Sequence, residues 1–269
     1  MSARSVSEGD VKRLILVPVA LLALAAPLVA QYANPTDRGA IVSRLGGELG
    51  PRYADPADDK LPVPKLADGT PDFSGVWRDG GNDPSAKLMD PLLMPWAKQV
   101  LASRKPEQNP YFQCMPAGPL RMSGGMAWRF VQPADGKRIF WLYEGNVHSY
   151  RQIFTDGRKH PEDPDPTYFG HSIGHWEGNT LVVDTIGLND KWWMDQRGTP
   201  HTEQMHIVER WTRTSHNNLR RVVTIDDPGT FTKPFEYTAT ARLTVPDSEI
   251  LEYFCQENNQ YGIAGGLTK

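Results

Sequence analysis

The stretch Gly170-His171-Ser172-Ile173-Gly174-His175-Trp176-Glu177-Gly178-Asn179-Thr180-Leu181-Val182-Val183-Asp184-Thr185-Ile186-Gly187 decides the fold. Val182, Val183, Thr185 and Ile186 are β-branched, and their stiff side chains suit a pleated strand better than a helix. Glu177-Gly178-Asn179 interrupts the run with residues that tolerate positive φ. The stretch therefore reads as a tight antiparallel hairpin near the middle of an all-β domain. It also carries His171, His175 and Asp184. Alternate residues of a strand share a face, so the two histidines point the same way with Ile173 between them. Asp184 has two registers open to it. If Trp176 pairs with Thr180, Asp184 lies opposite Ser172 on the other face. If Glu177 pairs with Thr180, it lies opposite Ile173, making a His-Asp-His set suited to zinc or to proton transfer.

Outward from the hairpin, strand-like runs alternate with turns. They cover 127–132, 137–143, 147–154, 171–176, 180–186, 206–214, 219–227, 235–245 and 249–258. Asp135-Gly136, Glu144-Gly145-Asn146 and Pro246-Asp247-Ser248 are among the separating turns. With an opening strand at 72–77 this predicts an antiparallel meander of about ten strands, curled into a barrel or folded into a sandwich. One short helix is expected over 95–104, with Pro95 in its first turn and Trp96, Val100 and Leu101 on one face.

The flanks carry different signals. Residues 14–30 are apolar and uncharged behind Lys12-Arg13, the pattern of a membrane anchor or a secretory leader. The basic flank stays cytoplasmic, so the remainder is expected on the periplasmic side of the inner membrane. Cleavage after Ala30, giving a secreted or periplasmic protein, is the alternative. Residues 31–71 read as an extended Pro- and Gly-rich connector, 72–261 as the β-domain and 262–269 as a flexible tail.

Composition excludes some classes. Of 269 residues, 39% are hydrophobic and 23% charged, which is too apolar for a disordered chain. The net charge is −3 without a basic cluster, so nucleic acid is not an expected partner. Cys114 and Cys255 are too far apart for a metal knuckle; in an oxidising compartment they are expected to pair, closing a loop worth about 5 kcal/mol on the chain-entropy model.

His201, Glu203 and His206 form a second polar cluster, though without the spacing of an HExxH zinc helix. An enzymatic reading would use His171, His175, Asp184, His201, Glu203 and His206, and a metal reading His171, His175, His201 and His206. The competing reading makes them hydrogen-bond partners tying loops to a barrel rim. The acidic, Pro-stiffened run 160–166 lacks EF-hand spacing and reads as a solvated loop. Neither a GxSxG elbow, a P-loop nor a CxxC pair is present, and no cofactor is expected. Trp192-Trp193-Met194 interrupts a polar loop, 189–200. These three are expected either to anchor a protein partner or to fold back as a cap on the barrel.

The opening Gly75-Val76-Trp77 before a meander resembles the GxW start of lipocalins and other calycins, which implies a calycin-like barrel. The segments PDFSGVW, GHSIGHWEGNTLVVDTIG and GTPHTEQMHIVERW resemble a set of uncharacterised exported bacterial proteins. That resemblance spans most of the chain after Pro71 and implies export but no activity. The expected function is that of a structural accessory subunit, anchored in the bilayer through 14–30 and docked on a larger respiratory or photosynthetic membrane complex. An exported calycin-like enzyme, or a small-ligand or metal binder, is the alternative.

Overall fold

Strand formation follows the sequence pattern closely. In the computed structural model, which describes residues 52–79, 84–145, 147 and 149–255, nine strands form one closed barrel. They are β1 (Trp77–Asp79), β2 (Ala127–Val131), β3 (Arg138–Tyr143), β4 (Ser149–Phe154) and β5 (His171–Glu177). β6 (Thr180–Ile186), β7 (His206–Ser215), β8 (Asn218–Asp226) and β9 (Phe235–Leu243) follow. Each strand pairs with its sequence neighbour, and β9 returns to β1 with Trp77 opposite Leu243. Closure leaves no free sheet edge except where pairing runs short.

Pairing runs short at two joins, β1–β2 and β4–β5, and the expected meander is corrected at the second. β4 and β5 are parallel and share only Ile153↔Ser172 and Phe154↔Ile173. A parallel join needs a long crossover, which residues 155–170 supply. The expected final strand is also corrected: residues 249–255 are irregular, and Leu251 N–H instead donates to the Glu144 carboxylate at 3.1 Å. Residues 14–30, the connector up to Pro51 and the tail lie outside the described residues. From Arg52 onward the connector joins the barrel: Tyr53 bridges Thr244, and Asn217 Nδ2 donates to Asp55 O at 2.8 Å.

The lumen is filled by side chains in layers. At one end Trp77, Trp128, Phe130, Trp141 and Trp211 pack with Leu181 and Val183, many of the rings edge to face. At the other, Ile207, Val223 and Ile225 meet Met89, Leu93 and Leu120 from the segment before β2. That segment holds the helices α1 (Ala86–Met89), α2 (Pro95–Ser103) and α3 (Gly118–Arg121). In α2 the buried position is Ala97, while Trp96 sits at the margin and donates from Nε1 to Gly229 O at 2.7 Å.

Between the apolar layers lies a charged one. Glu209 pairs with Arg151 through Oε2 and lies 3.4 Å from Arg221 through Oε1, all three side chains being buried. Arg151 also donates from Nε to Ser172 Oγ at 2.9 Å and from Nη2 to Thr185 Oγ1. Both guanidinium groups lie over the Trp141 ring. Removing one member of such a buried set typically costs about 3–5 kcal/mol, because the partner charge is left uncompensated. Cys114 and Cys255 form a disulfide with their Cα atoms 5.5 Å apart.

Candidate functional site

The β5–β6 hairpin adopts the register in which Glu177 pairs with Thr180 and Ile173 with Asp184. Its loop is Gly178-Asn179, with Gly178 first at φ +59°, as a type II′ hairpin turn requires. This register sends Ser172 and Gly174 into the barrel and puts His171, Ile173, His175 and Asp184 on its outer surface.

Asp184 gathers its histidines from elsewhere. His206, at the start of β7, brings Nε2 to 2.8 Å of Asp184 Oδ1. His160, from the Pro-stiffened crossover, brings its own Nε2 to 3.0 Å of the same oxygen. The other nitrogen of His160 lies 2.8 Å from His171 Nδ1, both being Nδ1 atoms. The result is a continuous chain, His206–Asp184–His160–His171. Phe154 stacks on the His171 ring at 5.3 Å, and the Arg158 guanidinium covers the Phe154 ring at 3.8 Å.

The charges follow from these contacts. Burial alone would raise the Asp184 carboxyl, but hydrogen bonds from His206 and His160 outweigh it and hold the pKa below the usual carboxylate value. The hydrogen bond to Asp184 raises His206 against the effect of burial. His171 is lowered, first by burial and then by the neighbouring His160 and Arg158.

The remaining members of the expected set lie apart. His175 pairs with Glu177 Oε1 at 3.1 Å at the exposed turn end of the hairpin. His201 is buried with its ring 4.0 Å from that of Trp192, and burial pushes its pKa down to about 4. Glu203 is exposed in the turn before β7. Of the six, the structure brings His171, Asp184 and His206 together through His160, while the turn at 202–205 separates His201 from His206. Among the described residues no group of three or more His, Cys, Asp or Glu is arranged to hold a metal. The four histidines of the metal reading are not brought together, since His175 lies beside Glu177 and His201 under Trp192. His160 was not among the expected residues. Only the path of the crossover brings it to Asp184.

Trp192, Trp193 and Met194 are 1%, 5% and 0% exposed, so the loop caps the barrel instead of presenting anchors. Gly118 abuts the Trp192 ring, and Arg104 lies 5.0 Å from the Trp193 centroid. Their apolar area is spent inside the molecule, and they offer a partner no surface.

Two openings on the barrel wall lie among the described residues. At the β4–β5 join, a cleft of about 440 Å³ is lined by Phe169, Pro161, Pro164, Asp165, Thr167 and His171. A groove of about 580 Å³ lies against the outer face of β3–β4, lined by Arg129, Leu142, Tyr150 and Ile250. Comparison with protein-family models, curated proteins and solved structures finds no match. The geometry defines the class: a nine-stranded barrel with a filled lumen and a histidine–carboxylate chain on its outer wall.

Proposed function

We propose that the chain is an accessory protein that acts by adhesion. In this reading residues 14–30 hold it on the periplasmic side of the inner membrane, and the barrel docks on a larger respiratory or photosynthetic membrane complex. The supporting observation is the outer face of β2–β4. Outward positions of a soluble barrel are usually polar, yet here they carry Val131 and Tyr150, 36% and 58% exposed, with Phe140 and Leu142 between them. Phe140 and Tyr150 meet edge to face at 6.0 Å. Beside them the groove holds Arg129, whose buried Nε–H has no hydrogen-bond partner among the described residues. Exposed apolar side chains beside an arginine are the composition of a protein-binding patch.

The test is gentle membrane solubilisation followed by native separation. The wild-type chain should migrate with a membrane assembly, and the double change Val131→Ser/Tyr150→Ser should release it while the circular dichroism of the barrel stays unchanged. A leaderless monomer in the wild type, or undiminished co-migration of the variant, would count against adhesion through this face.

A further inference from the structure

The cleft at the β4–β5 join carries chemistry that docking does not use. An ionised carboxylate only accepts hydrogen bonds, so both His206 and His160 must present an Nε2–H to Asp184. A His160 that carries one ring proton therefore holds it on Nε2 towards Asp184 and offers the lone pair of its Nδ1. His171 Nδ1 must donate into that lone pair across the 2.8 Å contact. The proton of His171 is thereby fixed on Nδ1, and its Nε2 is left as a bare acceptor on a residue that lines the cleft. The stacked Phe154 ring holds the imidazole plane in place.

We propose that this cleft is a small-molecule site in which His171 Nε2 accepts a hydrogen bond from the hydroxyl of a neutral, ring-bearing ligand with an apolar face. The walls specify the rest of the ligand. Phe169 and the two prolines offer flat apolar contact, and Thr167 a further polar group. Asp165 disfavours an anion, while the nearest cations are already matched, Arg151 by Glu209 and Arg158 by Asp156. A phenol and a pyranose ring share this chemistry. The cleft shares Tyr150 with the docking face, but its test leaves that residue intact and reads a different outcome.

Two-bond proton–nitrogen correlation spectra of the isotope-labelled full chain near neutral pH test the proton placement. His171 should be protonated on Nδ1 with a bare Nε2, and His160→Leu, which removes the acceptor, should return it to the Nε2–H form. Phenol and methyl β-glucoside are then titrated separately to millimolar concentrations. The ligand of matching class should shift His171 Nε2 together with the Thr167 and Phe169 amides, and His171→Phe should abolish the response. A response to phenol alone or to the glucoside alone assigns the source. Protonation of wild-type His171 on Nε2, or silence of the cleft amides towards both probes, would overturn the proposal.

Discussion

His201 is an uncharged ring in a closed pocket, with its Nδ1 3.3 Å from Thr202 O and its face against Trp192. Its pKa falls from 6.5 to about 4 on folding, chiefly through burial. The unfolded chain therefore binds a proton below pH 6.5 that the folded chain refuses until about pH 4. Stability should decline across that window by about 3 kcal/mol, and His201→Phe should flatten the decline in denaturant titrations run at successive pH values. An unchanged slope would show that other groups set the acid limit. In the sequence His201 and His206 look alike, five residues apart in one polar run. The turn between them buries one under Trp192 and gives the other to Asp184, a difference that local pattern does not encode. His160 was still less legible, because its role depends on where a crossover lands.

Among the elements, the β5–β6 hairpin was the most legible and its register the least. Both registers satisfied the turn residues, and the choice falls to Gly178, which takes the first loop position at φ +59°. A side chain there would meet nothing within 4 Å, so Gly178→Ala should cost only the conformational penalty, about 1 kcal/mol. Gly118, at φ +71°, is different: a Cβ would overlap the Trp192 ring. Gly118→Ala should cost about 3 kcal/mol or more, and parallel melting curves should separate the two variants clearly. Strand β7 explains another gap in the sequence reading. Its inward residues are Ile207, Glu209, Trp211 and Arg213, so both faces alternate with polar groups and the charged layer is invisible from periodicity alone. The parallel join did leave a signal, since residues 155–170 are too long for a hairpin, but acidity and prolines there read equally well as a solvated loop.

For the whole molecule, the disulfide spans a separation of 141 residues and ties the segment after β9 to the one before β2. Reduction, or Cys114→Ser, should lower stability by about 2–5 kcal/mol and the melting midpoint by roughly 5–15 °C. An unchanged midpoint would mean that the bond constrains little of the unfolded chain. The barrel itself follows from strand patterning, whereas its filled lumen depends on which charges turn inward, and that is settled only by closure.

The β4–β5 join has a temporal consequence. Strands β2 to β4 are linked by short turns, as are β5 and β6 and again β7 and β8, so those ladders assemble from nearby partners at little entropic cost. The two pairs at β4–β5 reward a much longer excursion of chain with far less bonding. In the refolding barrel this join and the β1–β2 join, which has as few pairs and closes a still longer loop, are the final staves to be fitted, and under stress they are the ones that spring first.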